Sequence, residues 1–266
     1  MQLQTDLIKE MLAGKGARQD FRICCRRETD STNDWARREA GEGAPDGTVF
    51  LADHQSAGKG RRGRRWESPE GTSVSMSILL RTELPADRIS MLTLVMGLAA
   101  AEAVREVCGI DAEIKWPNDV VWQGKKLCGI LTELGPGAEW VVIGIGLNVN
   151  VEAFPEELAD MASSMRLACG HSVSREAVTA EVIRHFADDY QMFLEAGDLR
   201  PLRSRYEALL ANRGARVRVL DPAEPYEGVA GGINDRGELQ VVRSDTQETV
   251  SVFAGEVSVR GIYGYV

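Results

Sequence analysis

The sequence predicts an α+β protein: a mixed or antiparallel sheet with flanking helices, followed by a small all-β barrel. Three observations carry this. Apolar, helix-forming runs at 88–107 and 174–196 are long enough to cover a sheet. Between residues 112 and 150, strand-like runs are separated by gaps so short that they fold as antiparallel hairpins rather than crossovers. After "YEALLANRGA" the texture changes to short strand-like runs divided by turn residues.

In chain order, residues 5–13 read as a short helix. "DSTNDWARREA" reads as a helix capped by Asp30, Ser31 or Thr32. "TVFLADHQ" (48–55) is a strand feeding a glycine-punctuated loop. "TSVSMSILL" alternates Val74, Met76, Ile78 and Leu80 against serines, the period of a half-buried strand. "AEIKW" and "VVW" flank "PND", "QGKK" turns into "LCGILTEL", and "GPGAE" turns into "WVVIGIGLNVN". In 174–196, Val178, Val182, Ile183, Phe186, Tyr190, Phe193 and Leu194 recur at helical spacing, and Gly197 stops the helix. "RVRVL", "YEGVAGGI", "GELQVV", "ETVSVF" and "EVSVRGI" supply the barrel. The expected division is a helical lead at 1–24, a main domain at 25–211 and the barrel at 212–266.

A chain of 266 residues with 44% hydrophobic content can bury a sizeable core. A net charge of -9 and a pI near 5.0 oppose general binding to nucleic acid or anionic membrane. Cys24, Cys25, Cys108, Cys128 and Cys169 are odd in number and form no C-x-x-C pair, which excludes a disulfide framework or zinc knuckle. His54, His171 and His185 show no ligand-like spacing. The N-terminus lacks a signal-peptide core, and the apolar stretch from Met91 is interrupted by Thr93, Gly97 and Glu102 and is too short to span a membrane. A reducing, cytoplasmic setting is expected.

Against this acidity stands "SAGKGRRGRRWESP" (56–69), with Lys59, Arg61, Arg62, Arg64 and Arg65. Gly58, Gly60 and Gly63 match G-x-G-x-x-G, but no helix opens there: "RRWESPEG" holds Pro69 and Gly71 and has no apolar face. The G-K-[ST] of a Walker loop is absent. Glycines let the backbone approach a ligand closely, and the cations donate to phosphate. A small phosphate-bearing ligand fits better than a polymer; a solvated charged loop is the plainer alternative. A second cluster, "KWPNDVVWQGKKLCGIL", sets Lys115, Lys125 and Lys126 around a hairpin. Simple alternation puts Lys126, Cys128 and Ile130 on one face, and Gly129 in a strand interior marks a close approach. The alternative is an ordinary hairpin with surface lysines.

In this order, "DSTN", "GKGRRGRRW", "KWPND", "KKLCGIL" and "GIGLNV" closely resemble the biotin–protein ligase family, also called biotin–[acetyl-CoA-carboxylase] ligases. The resemblance covers about residues 25–150, and "FAGEVSVR" matches the end of the family's SH3-like C-terminal barrel. The family's glycine motif usually reads G-R-G-R-x-G-R; Lys59 stands at its first arginine. Some members carry an N-terminal winged helix-turn-helix and act as repressors. The lead before Ser31 is too short for one, so a ligase without DNA binding is expected.

The resemblance implies two steps. Biotin's carboxylate attacks the α-phosphate of ATP, giving biotinyl-5′-AMP and pyrophosphate. A lysine of a biotin carboxyl carrier domain then attacks the mixed anhydride, giving an amide and AMP. By correspondence, Arg61, Lys126 and Lys115 are catalytic. Ser31, Thr32, Asn33 and Gln55 bind biotin's ureido ring, and Gly58, Lys59, Gly60, Arg61, Lys126 and Gly129 complete its site. Arg61, Arg62, Arg64, Trp66, Lys115, Asn118, Lys126, Asn148 and Arg260 face the nucleotide. Asp119 either binds the Mg2+ that accompanies ATP or only shapes the Pro-Asn-Asp turn. Ser31 and Thr32 also suit helix caps, and Trp66 a core position. A lipoate-type ligase on the related scaffold is the alternative. No membrane partner is expected, and a homodimer is left open.

Overall fold

The computed structural model describes residues 3–15, 21–221, 224–253 and 258–261; the side chains of Ala86 and of residues 258–260 fall outside that description. Helix α1 (Thr5–Gly14) leads into strand β1 (Arg22–Thr29). Helix α2 (Thr32–Gly41) crosses over to β2 (Thr48–Gln55), which pairs parallel with β1. Then follow β3 (Ser73–Leu80), a short α3 (Ala86–Ile89), α4 (Met91–Cys108), and four strands: β4 (Glu113–Lys115), β5 (Asp119–Trp122), β6 (Lys125–Leu134) and β7 (Val141–Asn148). The order across this seven-stranded sheet is β1-β2-β3-β7-β6-β5-β4, antiparallel apart from the first pair. Short turns leave no length for crossovers, so antiparallel pairing follows. Gln123 and Gly124, both at positive φ, close the β5–β6 hairpin.

Helices α5 (Met165–Cys169), α6 (Arg175–Ala196) and α7 (Arg200–Ala208) complete the first part. Ser174 caps α6 through its side chain, and Gly197 ends it in the left-handed conformation. Five strands then form an antiparallel sheet ordered β11-β10-β9-β8-β12: β8 (Arg216–Leu220), β9 (Tyr226–Ile233), β10 (Leu239–Arg243), β11 (Thr249–Val252) and β12 (Ser258–Gly261). Residues 254–257 of "FAGEVSVR" lie outside the described residues. The indole of Trp116 ties the two sheets, donating from Nε1 to the Gly237 carbonyl at 3.0 Å.

The large sheet is covered on both faces. On one, Val74, Met76, Ile78, Ile143, Ile145 and Leu147 join α4 and α6 in the main core. On the other, α2 packs Trp35 and Ala36 against Phe50, Leu79 and Val142. Strand β3 is therefore buried at all eight positions. This corrects the half-buried reading: Ser75 and Ser77 face α2 and the loop beside it, not solvent. The cap of α2 also differs. Ser31 holds the N-cap position, but no side chain caps the helix.

Candidate active site

The site begins with a row of small residues. Pairing in register sets Ala52 beside Ser75, Ser75 beside Gly146, Gly146 beside Gly129, Gly129 beside Asp119, and Asp119 beside Lys115. The adjoining row runs Phe50, Ser77, Gly144, Leu131. Side chains alternate between faces along each strand, so each row lies on one face. Six positions with no side chain or a short one, Ala52, Ser75, Ser77, Gly129, Gly144 and Gly146, sink a trough into the face that α2 covers only in part. The pocket over it spans about 440 Å³ including its mouth.

Large side chains lie in this trough. A Cβ on Gly146 would sit 2.4 Å from Trp66 Cε2 and 2.6 Å from Nε1, so the indole rests directly on that glycine. A Cβ on Gly129 would meet Lys126 Nζ at 2.9 Å and Trp66 at 3.3 Å; on Gly144 it would meet Asn33 Oδ1. These glycines exist for close approach. Trp66 Nε1 is buried and has no hydrogen-bond partner among the described residues.

One end of the trough is polar. The Thr32 backbone N–H and hydroxyl both donate to Gln55 Oε1, at 2.8 and 3.1 Å. Gln55 Nε2 reaches Ser75 Oγ at 3.3 Å. The Ser77 hydroxyl lies 2.8 Å from Thr32 Oγ1 and 2.6 Å from Asn33 Oδ1, and its single hydrogen serves one at a time. The Asn33 amide donates to the Leu131 carbonyl and to Glu133, so it is largely engaged by protein. The Ser31 N–H donates to Asp30, whose carboxyl is held far below its usual range by the paired Arg38 guanidinium.

The basic loop closes over the trough as a small hairpin. Trp66 N–H donates to the Gly58 carbonyl at 2.9 Å and Gly60 N–H to the Arg64 carbonyl at 2.7 Å. Arg62 and Gly63 take positive φ at its tip. Lys59 Nζ pairs with Asp34 at 2.6 Å, and Arg61 Nη1 donates to Asn118 Oδ1 at 2.9 Å. Burial lowers the Arg61 guanidinium from its ordinary value, yet an arginine stays charged at neutral pH.

Lys126 stands at the other end. Its Nζ is 2.6 Å from Asp119 Oδ1 and 5.7 Å from the centroid of the Trp66 ring. A bulge places it there: Val120 pairs with Cys128 but Val121 with Lys126, so Leu127 is extra. Alternation is broken, Leu127 and Cys128 both enter the main core, and Lys126 sides with Gly129. This overturns the face shared by Lys126, Cys128 and Ile130. Lys126 is also no ordinary surface lysine, being only 25% exposed and ion-paired to a buried carboxylate.

The pocket wall thus gathers Ser31, Thr32, Asn33, Gln55, Lys59, Gly60, Arg61, Trp66, Asn118, Lys126 and Gly129. Gly58 lies under the Trp66 backbone, where any Cβ would clash. Arg62 and Arg64 are exposed on the loop. Lys115 and Asp119 continue the row beyond Gly129, both buried. Asn148 is buried one β7 repeat beyond Gly146 and donates to the Ser163 carbonyl at 3.2 Å. The Arg260 side chain lies outside the described residues; its backbone is in β12. Sequence reasoning assigned no role to Ser75, Ser77, Gly144, Gly146, Asp34 or Glu133. The serines of "SVSMS" and the glycines of "GIG", on one alternation face each, were the available signal.

Two family models match the chain: the biotin/lipoate A/B protein ligase family over residues 25–150, and the biotin protein ligase C-terminal domain over 214–260. The biotin–[acetyl-CoA-carboxylase] ligase of Mycobacterium tuberculosis is 33% identical over 251 residues, 92% of this chain and 90% of that protein. The bifunctional ligase/repressor BirA of Bacillus subtilis is 37% identical over 214 residues. That match takes 79% of this chain, which spans about two thirds (66%) of the relative. The structure of biotin protein ligase from Aquifex aeolicus in complex with biotin and ATP superimposes with a TM-score of 0.80 at 30% identity, over 90% of this chain and 99% of that one. With ordered motifs, a trough at their intersection and relatives matched along most of their length, the chain belongs to the biotin protein ligases of the biotin/lipoate A/B protein ligase family.

Proposed function

We propose that this chain activates biotin with ATP to biotinyl-5′-AMP and transfers the biotinyl group to a lysine of a biotin carboxyl carrier domain. The observation that carries this is the trough itself: a polar end, a glycine floor under an indole, and a far end holding a lysine under a cationic loop. A ureido ring offers one carbonyl and two N–H groups. Ser31, Thr32 and Gln55 supply matching hydroxyl and amide groups at the polar end. Lipoate's dithiolane offers none of these, so it gives no bonds in exchange for those that Thr32 and Gln55 make with each other, and that discriminates against it. The valeryl chain then runs along the floor beside Trp66, bringing the carboxylate to Lys126.

Lys126 neutralises the carboxylate and the α-phosphate as they approach. Its exchange of Asp119 for the substrate keeps a charge compensated throughout. Arg61 stabilises charge developing on the α-phosphate; such transfers rest on positioning and on fixed cations. Arg62, Arg64, Lys115, Asn118 and Asn148 surround the nucleotide in this reading, with Arg260 approaching from the second sheet. Mg2+ comes with ATP, held chiefly by phosphate oxygens. Asp119 is the carboxylate in the row that fits it, as a single protein ligand; among the described residues it belongs to no cluster of three ligand-bearing side chains. In the second step the carrier lysine attacks the acyl carbon, and AMP leaves with the phosphate still held by the loop. We propose a cytoplasmic setting, in keeping with five free cysteines.

Mass spectrometry of a carrier domain after incubation with this protein, biotin and MgATP tests the proposal. The expected result is one biotinyl addition, dependent on both substrates. Binding of lipoate in preference to biotin by titration calorimetry would overturn it.

A further inference from the structure

We infer that Asp34 is a positioning residue, which latches the glycine-rich loop to helix α2 through Lys59; this rests on the adenylate-forming reading above. The loop is strapped at two ends. Arg61 reaches one wall at Asn118 Oδ1, 2.9 Å away. Lys59 reaches the other at Asp34 Oδ1, 2.6 Å away. The second strap is part of a chain of alternating charge. Arg37 Nη1 lies 3.6 Å from Asp34 Oδ1 and 3.3 Å from Glu133 Oε1, and Glu133 Oε2 accepts from the Asn33 amide at 2.8 Å. The latch therefore runs from the loop, along the first turns of α2, to β6 and to the polar end of the trough.

The residue types suit this. Lys59 stands where the family motif usually has arginine. An ammonium is a point charge that a single carboxylate oxygen satisfies, whereas a guanidinium fork seeks two acceptors. With its ammonium directed at Asp34, Lys59 lines the pocket mainly through its stem and backbone. Asp34 does not line the pocket. Its removal loosens one strap without deleting any group that faces biotin or phosphate, which removal of Arg61 cannot do.

The test is Asp34→Asn, nearly isosteric but uncharged, beside the charge-conserving Asp34→Glu. The first readout is the rate of tryptic cleavage within residues 61–65 of the protein without added ligand. The second is the dissociation rate of biotinyl-5′-AMP at low and high salt. An ion pair this exposed is worth a factor of roughly two to five. Asp34→Asn should speed both cleavage and release by that factor, at low salt only, because salt already screens the pair in the parent. Asp34→Glu, larger but still charged, should keep most of the parent's behaviour, which a purely steric role of Asp34 would not produce. Asp34→Asn rates within 1.5-fold of the parent, or Asp34→Glu rates as fast as those of Asp34→Asn, overturn the latch. The tryptic readout needs no biotin chemistry. Failure to form any adenylate would strike the proposed function while leaving the latch measurable.

Discussion

Gly146→Ala is the sharpest test of the glycine floor. The added methyl would lie 2.4 Å from Trp66 Cε2, 2.6 Å from Nε1 and 2.9 Å from Cδ2. Carbon contacts become favourable only at about 3.5 Å, so the indole must retreat by about 1 Å. It cannot do so by a flexible tip, because the clash involves the rigid bicycle. Nor does the backbone relieve it: Gly146 is not at positive φ, and its strand is paired on both sides. Retreat of Trp66 lifts the loop through the Trp66–Gly58 bond and moves the ring beneath Lys126.

A misplacement of about 1 Å near reacting groups costs on the order of a hundredfold. Biotin-dependent ATP–pyrophosphate exchange should thus show kcat/KM for biotin reduced by about that factor. The melting temperature should fall modestly, because overpacking against the rigid ring outweighs the small gain from alanine's stiffer unfolded chain. Gly129→Ala provides a graded comparison. Its methyl meets Trp66 at 3.3 Å and the Lys126 side-chain end at 2.9 Å, which can swing aside, so a loss of about tenfold or less is expected. In a Trp66→Phe background the added cost of Gly146→Ala should shrink, as expected for residues in contact. Exchange within threefold of the parent for Gly146→Ala, or an undiminished cost in the Trp66→Phe background, would refute the reasoning.

Lys126→Ala should slow biotin-dependent pyrophosphate release by about a hundredfold or more. It should also lower the melting temperature, because buried Asp119 loses its ammonium; adding Asp119→Asn should recover the melting temperature but not the rate, and recovery of both would contradict the role of Lys126. Arg61→Gly should still form biotinyl-5′-AMP but release it through a loop untied from Asn118, so that a bystander protein acquires biotin; equal retention by parent and variant would contradict this. Burial lifts the Asp189 carboxyl from its usual 3.8 to about 6. The folded chain then keeps a proton that the unfolded chain releases between about pH 4 and pH 6, so the contribution of Asp189 to stability falls as pH rises through that window. Relative to the parent, Asp189→Asn should gain melting temperature between pH 4.5 and 7; parallel curves would contradict the assignment.

Much of this fold is written in local patterns. The 3.6-residue period of 174–196 and Gly197 mark α6, and "QGKK" marks its hairpin, because these signals act within a few residues. The trough is different. Gly129, Gly146 and Ser75 are 17 and 71 residues apart along the chain, counted from Gly146, and become one row only through the register of β3, β7 and β6. The bulge at Leu127 is likewise a property of two strands together, so counting alternate residues along one strand misplaced Lys126. Burial of Ser75 and Ser77 depends on α2 lying across them. Asp34 and Glu133 look like solvated helix and strand charges until their partners come from other elements. The motifs identified the surroundings of the site, while tertiary pairing determines which atoms meet there.

The contrast between an acidic chain and a basic loop resolves in the same way. Of the five cations, Lys59 and Arg61 turn towards the two walls, while Arg62, Arg64 and Arg65 are exposed. The whole chain's net charge of -9 leaves -14 outside these five cations, and that charge is screened beyond about 8–10 Å at physiological salt. A phosphate touching the loop therefore experiences mainly the loop. A duplex or membrane, spread over tens of ångströms, would instead meet the whole acidic surface. Glycines at 58, 60 and 63 let this charge fold back onto the trough rather than project from it. The same five residues strung along an exposed helix would carry equal charge and lose that enclosure, along with the exclusion of water that a reactive anhydride requires.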